Sequence, residues 1–434
     1  MEPFKGRMYT IFANVCRWVL ALVLAVSGFV KAVDPVGSMY KLREYAEAFS
    51  LEGFSDEWLL LGAVVQAALE FLLGVFMFMG VYRRFVASVV PLMMLFFTAL
   101  TLVIYLDGSV EDCGCFGEAV TLTNGETFAK NLFLLFLSLV VFLGRRRFAF
   151  NVSSKCRWMV TIFAIFYIAL VEIMSLSHLP VIDFGTYRVG ADLRALAIGT
   201  PGEYGIVDIY ECAGDTIELP EGEEPDTLWT FVGSGSRLIK EGVQPVIDEF
   251  SLLDWENDYD AASEILEDSG YVCIVAIESV EKASVSRVDK INDMYDYCME
   301  QGVPFYVTTS SNDDGIALWR KRTGAEYPLY WTAEPVLQMM IRANPGMMLL
   351  KDGVIAGKWN VKDLPPVEAL AVAPTLMPDS MTGIVDEMRG WGFWMLLLGA
   401  PLLLIVLLDI VASRGTAAGN GDAKMKTENK DNNI

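Results

Sequence analysis

The amino-acid sequence predicts a helical membrane protein that carries one α/β domain outside the bilayer. The 434 residues are 53% hydrophobic, and the apolar residues come in uninterrupted blocks rather than in amphipathic stripes. Six blocks approach or exceed the roughly 20 residues with which a helix crosses about 30 Å of hydrocarbon. A polar stretch of about 210 residues separates the fifth block from the sixth, which is enough for a domain with its own core.

The six apolar blocks are predicted membrane helices. Buried helices of a soluble protein are an unsatisfactory explanation, because six of them would leave no amphipathic shell. The fourth block is short and can begin near Phe128. The predicted spans are residues 11–33, 58–80, 85–106, 130–144, 157–177 and 391–411.

Lys and Arg near the ends of these blocks predict their orientation. Basic residues collect on one side, at 5–17, 83–84, 145–157 and 414–430, whereas none lies between Asp107 and Thr127 on the other. Both termini are therefore expected in the cytoplasm, with the large domain in the periplasm of a bacterial inner membrane. The first block is expected to be retained as an anchor, because no small-residue cleavage site follows it.

The acidic charge of the protein belongs to the large domain. Residues 178–390 contain 15 Lys and Arg and 37 Asp and Glu. The net charge of this segment is therefore −22, the same as that of the whole chain. Such a surface disfavours nucleic acid and anionic lipid as partners of this domain. The lipid bilayer is the expected partner of the apolar blocks.

The predicted domain organisation follows from these boundaries and from composition. The tail is rich in Gly, Asn and Lys and is predicted to be disordered. The predicted parts are a four-helix membrane domain at 1–150, a fifth membrane helix at 151–180, a β-rich region at 181–267, an α/β domain at 268–385, a sixth membrane helix at 386–413 and a cytoplasmic tail at 414–434.

Buried strands and helices alternate after residue 270. GYVCIVAIES and VPFYVTTS are continuous apolar runs, typical of buried parallel strands. SVSRVDKINDMYDYCMEQG, DGIALWRKRTG and EPVLQMMIRA are predicted helices. NPGMMLLKDGVIAGKW is a predicted hairpin that turns at Asp352-Gly353.

This order resembles the thioredoxin fold over residues 268–366. Asn344-Pro345 stands where thioredoxins carry the cis-proline that opens their last hairpin. Residues 278–283 (ESVEKA), at the place of the thioredoxin CxxC, contain no cysteine. The resemblance therefore implies a domain without dithiol chemistry at that place. An α/β sandwich of other ancestry is the alternative.

The strongest chemical signal is the CxC motif Cys113-Gly114-Cys115, in the loop between the third and fourth blocks. The loop is expected outside the cytoplasm, where disulfides persist. Cysteines one residue apart close only a tight ring, for which Gly114 gives the backbone freedom, and a strained disulfide exchanges readily. Thiol–disulfide exchange is therefore favoured. A static bridge, or separate partners for the two cysteines, are alternatives. Metal binding is disfavoured because His178 is the only histidine.

The motif DCGCFG resembles the MauE group of membrane proteins, relatives of the DoxX family. WVLALVLAVSGFVKAVDPVGSMYKLREY and LEFLLGVFMFMGVYRR match the same group, so the resemblance covers residues 11 to about 145. The whole organisation is similar to DoxX proteins of Bacteroidetes type fused to a thioredoxin-like domain. MauE is implicated in maturing a disulfide-rich periplasmic dehydrogenase subunit, so the resemblance implies that Cys113 and Cys115 are a redox pair. DoxX proteins are linked to quinol oxidation, which implies a quinone as a candidate electron acceptor.

Two carboxylates lie within the predicted membrane helices. Glu70 has Gln66 one turn before it, and Glu172 lies in the fifth block. Both are expected to face the bundle interior, because a charge in hydrocarbon is costly. Glu70 either accepts a proton from thiol or quinone chemistry or is protonated and fixes helix packing, and packing is favoured for Glu172. Lys31 is expected to reach the outer interface and to pair there with an acidic loop residue or lower the pKa of a thiol.

Five cysteines are expected on the outer side, an odd number that leaves one free or paired between molecules. Cys273 and Cys298 are expected to be buried as free thiols or as one cross-link, whereas Cys212 lies in a loop-like segment. Cys16 and Cys156, on the cytoplasmic side, are expected to be inert.

The sequence thus favours a membrane thiol–disulfide exchange component that acts on an extracytoplasmic protein client. Cys113, Cys115 and Glu70 are the catalytic candidates, and Gly114, Asn344 and Pro345 have structural roles. The alternative is a non-enzymatic scaffold or assembly factor with a structural CxC. A small-molecule transporter is disfavoured, because no broken helix or inverted repeat is evident.

Overall fold

The computed structural model divides the chain into two compact units, Met1–Thr186 with Gly383–Ile434, and Tyr187–Thr382. The structure describes residues 2–51, 53–108, 114–120, 122–146, 148, 152–199, 203–212, 215–220, 225, 228–240, 247, 250–254, 257–365, 367, 390 and 392–411. The predicted tail at 414–434 lies outside the described residues.

The first unit is a bundle of helices. Among the described residues, six helices are long and apolar enough to cross a membrane, which confirms the predicted number. They are α1 (Glu2–Val33), α3 (Asp56–Met79), α4 (Arg83–Asp107), α5 (Asn124–Gly144), α6 (Arg157–Ser177) and α12 (Gly392–Val411). The described part of the unit also contains a shorter helix, α2 (Pro35–Ala48), and a strand, β1 (Cys115–Glu118).

Two helix starts differ from the prediction for the same reason. Helix α5 begins at Asn124 rather than near Phe128, because Thr123 and Glu126 form a reciprocal capping box that supports a polar first turn. Helix α2 was not predicted, and it begins where the Asp34 side chain accepts the Gly37 N–H at 2.8 Å. Hydropathy locates apolar residues, whereas helix caps are polar.

Helices α1 and α3 touch through their backbones. A Cβ atom on Gly28 would lie 2.3 Å from the Phe71 nitrogen, and one on Gly74 would lie 2.4 Å from the Ala25 nitrogen. Small residues at such positions are what allow membrane helices to approach closely. The approach brings the polar side chains of the two helices within hydrogen-bonding distance.

Helix α12 packs along α6 in the antiparallel direction. The Tyr167 hydroxyl donates to the Trp394 carbonyl at 3.0 Å. At the other end of α12, Asp409 accepts the Ser153 N–H at 2.8 Å. Tyr167 also stacks with Phe71 of α3, at 5.6 Å between ring centroids, so α12 belongs to the same bundle.

The second unit contains a seven-stranded mixed sheet in the order β11-β10-β7-β8-β9-β5-β6 and a three-stranded antiparallel sheet in the order β3-β2-β4. The strands are β2 (Glu203–Cys212), β3 (Asp215–Pro220), β4 (Thr230–Lys240), β5 (Leu253–Asp254), β6 (Tyr259–Asp260), β7 (Tyr271–Ile277), β8 (Phe305–Thr309), β9 (Leu329–Trp331), β10 (Gly346–Lys351) and β11 (Val354–Asn360). The helices are α7 (Leu193–Ile198), α8 (Ala262–Glu267), α9 (Asp289–Gln301), α10 (Asp313–Thr323) and α11 (Glu334–Met340).

The alternating part of this unit follows the prediction closely. Strands β7 and β8 are parallel and buried, and α9 ends at Gly302 in the left-handed conformation. The hairpin β10–β11 turns at Asp352 and Gly353, both with positive φ, as a two-residue turn of this sequence requires. The short strands β5, β6 and β9 and the short helices α7 and α8 were not predicted.

Candidate functional site

A polar cluster joins α1 to α3 inside the membrane bundle. Lys31 Nζ lies 2.6 Å from Glu70 Oε1, and Ser27 donates to Glu70 Oε2 at 2.7 Å. Gln66 Nε2 donates to Glu70 Oε1 at 3.1 Å. The Glu70 side chain is 2% exposed and that of Lys31 is 10% exposed. Glu70 is therefore a buried carboxylate that accepts from three side chains on two helices.

The position of Lys31 corrects the sequence prediction. Lys31 does not extend to the outer interface to meet an acidic loop residue; it pairs with Glu70 of α3. Ser27 and Lys31 are four residues apart and share one face of α1, opposite Gln66 and Glu70 on α3. Within the pair, each charge is compensated by the other in a buried site. An isolated charge at this depth would have no such compensation.

The cluster lines a cavity of about 620 Å³ among α1, α2, α3, α4 and α5. The volume lies within the roughly 300–1,000 Å³ typical of small-molecule sites. Apolar and aromatic side chains form most of the wall, among them Tyr45, Phe49, Trp58, Met94 and Phe97. The cavity therefore suits an apolar molecule with a polar group that meets the cluster.

Lys31 also faces the aromatic part of this wall. Its Nζ lies 5.6 Å from the centroid of the Phe97 ring, within the distance at which a cation is attracted to an aromatic face. A molecule in the cavity can therefore contact the Lys31 ammonium group and the Phe97 ring at the same place.

Gly114, the central residue of the CxC motif, belongs to the same cavity wall. It has a φ of 55°, and a Cβ atom there would lie 3.0 Å from Cγ of Lys41 on α2. Glycine satisfies both the left-handed backbone and the close approach. Lys41 also forms an ion pair with Glu44 at 2.9 Å. The unpredicted helix α2 thus supplies the basic side chain that packs on the motif.

The two cysteines of the motif are placed by the chain on either side of Gly114. Cys113 lies outside the described residues, and Cys115 is described by its backbone as the first residue of β1. The roles predicted for Cys113 and Cys115 stay predictions. The structure does bring Gly114 and Glu70 to one cavity, which the sequence did not indicate.

Glu172 is buried in α6 and is not one of the residues that line this cavity. Its Oε1 atom has no hydrogen-bond partner among the described residues, and neither has the hydroxyl of Ser175 one turn later.

Residues 278–283 of the second unit form several hydrogen bonds and lie beside the cis peptide bond Asn344-Pro345. Asn344 Nδ2 donates to the Ser279 carbonyl at 2.9 Å.

Glu281 lies within residues 278–283, the segment that stands at the place of CxxC in the predicted resemblance to thioredoxin. Glu281 accepts from the Ser279 hydroxyl at 2.7 Å and from the Ser311 hydroxyl at 2.9 Å. The Ser279 hydrogen bond, together with those from the Glu281 backbone and Ser311, holds the pKa of Glu281 below its usual range. No two cysteines of the chain are separated by two residues, so this place carries no dithiol.

The remaining predicted residues are dispersed. Cys16 is buried, and Cys156 and Cys212 are half-buried. Cys273 and Cys298 meet in the core of the second unit. Among the described residues, no group of three or more His, Cys, Asp or Glu side chains is arranged to hold a metal ion.

Comparison with known proteins identifies the membrane part alone. No curated protein and no solved structure matches the chain. Residues 9–144, just under a third of the chain, match the family model described as Methylamine utilisation protein MauE. The match spans α1 to α5, together with the cavity among them, and it supports the resemblance drawn from the CxC motif. The chain is therefore a multi-pass membrane protein whose first four spans are similar to MauE.

Proposed function

We propose that this protein is an inner-membrane thiol–disulfide exchange component that acts on extracytoplasmic clients through Cys113 and Cys115. One observation carries the proposal. Gly114, which separates the two cysteines, lines the same cavity as the buried Lys31–Glu70 pair. A thiol pair beside a membrane cavity is suited to pass electrons between a protein outside the bilayer and an apolar molecule within it.

The orientation of the protein is part of the proposal. The distribution of Lys and Arg supports cytoplasmic termini and a periplasmic second unit. The CxC motif then lies in the oxidising compartment, where a disulfide persists and meets protein clients.

The exchange step conserves electrons. A client thiolate attacks one sulfur of the Cys113–Cys115 disulfide, which forms a mixed disulfide and releases the other cysteine as a thiolate. The second client thiolate then attacks the mixed disulfide. The client leaves with a disulfide and the CxC motif holds two thiols, so two electrons have moved to this protein.

A lipid-soluble quinone is the proposed acceptor of these electrons, and the cavity residues fit such a molecule. The wall is mostly apolar, and Lys31 and Gln66, which each carry more than one N–H hydrogen, supply donors that suit carbonyl oxygens. When bound, a quinone takes up two electrons and two protons. Lys31 at Nζ and Glu70 at its carboxylate form an ion pair in the cavity wall and can hold or move a proton there.

The second unit supports the alternative function, a non-enzymatic scaffold or assembly factor. Its strand and helix order and the cis Asn344-Pro345 bond are compatible with the thioredoxin-like resemblance, yet residues 278–283 contain no cysteine. In this alternative, the CxC motif is a static bridge and the acidic domain binds the partner.

A mixed-disulfide trap distinguishes the two functions. In intact cells, Cys113→Ser and Cys115→Ser are expected to differ. The one cysteine that normally bonds to the client attacks a client disulfide and releases a client thiolate, and the mixed disulfide accumulates because the second cysteine that would displace the client is absent. Cys212→Ser is the matched control, because it removes a half-buried cysteine outside the motif. Exchange requires a reductant-sensitive adduct in one single variant and its loss in the Cys113→Ser/Cys115→Ser double variant. If Cys113 and Cys115 stay in one redox state in intact cells and no client adduct forms, the result supports the scaffold function.

A further inference from the structure

Two sulfur atoms touch in the core of the second unit. Cys298 Sγ lies 3.6 Å from Cys273 Sγ, and both residues are completely buried. Cys273 is on β7, which pairs with β8 on one side and β10 on the other. Cys298 is in the last turn of α9, which packs against the sheet.

The local sequence holds the two cysteines together. Cys273 shares one face of β7 with Val275 and Ile277, and Cys298 shares the buried face of α9 with Ile291 and Met294. These two faces form one core cluster.

Backbone hydrogen bonds tie both cysteines to the connection between α9 and β8. The Val303 N–H donates to the Cys298 carbonyl at 2.9 Å, and the Cys273 N–H donates to the Pro304 carbonyl at 2.9 Å. The contact between the sulfurs is therefore fixed by main-chain geometry as well as by side-chain packing.

We infer that Cys273 and Cys298 become joined by a disulfide in the mature protein. The inference rests on the periplasmic location in the proposed function, because the bond would not persist in a reducing compartment. A disulfide has an S–S distance of about 2.05 Å, so the sulfurs, now 3.6 Å apart, need to approach by about 1.5 Å.

The oxidation requires a two-electron acceptor, and we assign this role to a disulfide. Each thiol loses its hydrogen, one S–S bond forms between Cys273 and Cys298, and the oxidant's S–S bond is converted into two thiols. The proposed Cys113–Cys115 disulfide, in the same or in another copy of the protein, has this chemistry. The protein would then be among its own clients.

Burial dictates when the reaction occurs. An oxidant cannot reach either sulfur once α9 has packed on β7, because both residues are fully buried. The Cys298 hydrogen bond and burial also raise the pKa of the Cys273 thiol, so reactive thiolate is scarce in the folded domain. The bond therefore forms during folding and is afterwards protected from reductants.

The test uses the full-length protein, expressed so that the second unit is exported to the oxidising compartment, and extracted in detergent. Thiols are blocked with N-ethylmaleimide in denaturant without reductant. The protein is then digested, and the peptides are identified by mass spectrometry. The expected result is one linked peptide pair that contains Cys273 and Cys298, with maleimide on the internal control Cys212. Maleimide on both Cys273 and Cys298 in most molecules overturns the inference.

The Cys113→Ser/Cys115→Ser variant separates this inference from the proposed function. If the bond is lost in the variant and returns on refolding with oxidised glutathione, the CxC motif is its source. If the bond persists in the variant, the disulfide stands and another oxidant forms it. If the unmutated protein lacks the bond while the client trap succeeds, this inference falls and the proposed function survives.

Discussion

Lys31 on α1 and Glu70 on α3 form a buried ion pair with 2.6 Å between Nζ and Oε1. The pair lies beside the close backbone contact of α1 with α3 at Gly28 and Gly74. Its position beside the cavity makes it relevant both to the stability of the bundle and to any molecule that binds there.

Removal of one member of the pair is expected to destabilise the bundle strongly. Lys31→Met or Glu70→Leu leaves an uncompensated buried charge, which costs about 3–5 kcal/mol. The double variant Lys31→Met/Glu70→Leu is expected to recover most of that loss, because neither charge remains. Thermal unfolding in detergent, analysed as a double-mutant cycle, measures the coupling. Additive losses in the double variant would show that the two charges do not stabilise each other.

The backbone contact between α1 and α3 leads to a second prediction. Gly28→Ala places a methyl group 2.3 Å from the Phe71 nitrogen, so the helices must separate, at a cost of about 1–3 kcal/mol. Gly62→Ala on α3 is the matched control, because its nearest neighbour is Leu42 Cδ1 at 3.5 Å, an ordinary contact. The melting temperature is expected to fall for Gly28→Ala and to stay or rise for Gly62→Ala. Equal melting temperatures would contradict the close contact.

Lys41 is expected to control the reactivity of the CxC thiols, if those thiols exchange. Its side chain packs on Gly114, and its ammonium group favours a nearby thiolate. Lys41→Met should therefore raise the pH midpoint of maleimide labelling at the motif by roughly 0.5–1 pH unit. Lys41→Arg, which keeps the positive charge, should have the same midpoint as the unmutated protein. A midpoint that moves equally in both variants would assign Lys41 a packing role.

Glu281 is expected to make the second unit less stable in acid. Its pKa is lowered in the folded state, so the unfolded chain binds more protons at mildly acidic pH. The stabilisation is therefore fully present above the unfolded pKa of about 4.3 and is lost as the pH falls through the folded pKa. The group is largely solvated, so the effect is below about 1 kcal/mol. Ser279→Ala should flatten the acid side of a melting profile recorded between pH 3 and 6. An unchanged profile would mean that Ser279 does not set this titration.

The sequence predicted the parts of the fold that depend on local patterns. Continuous apolar runs located the six spans and strands β7 and β8, and the pair Asp352-Gly353 located the hairpin turn. Helix α2 and the first turn of α5 were missed because their signals are polar caps at Asp34 and Thr123 rather than apolar runs.

The sequence singled out some residues of the candidate site but not the site's geometry. Glu70 and the CxC motif were singled out separately, because each breaks the local pattern of its segment. The partner of Lys31 was assigned wrongly, since Glu70 lies 39 positions away and the pairing depends on how α1 packs against α3. Such long-range contacts require the arrangement of helices, which periodicity within one helix does not contain.

The antiparallel contact of α12 with α6 has a mechanical consequence for the second unit. The chain departs from the bundle after α6 and re-enters it at α12, and Gly390 at the point of return lies against the Val181 carbonyl near the point of departure. Because both ends of the second unit join the bundle, cleavage of either connection leaves the domain attached through the other.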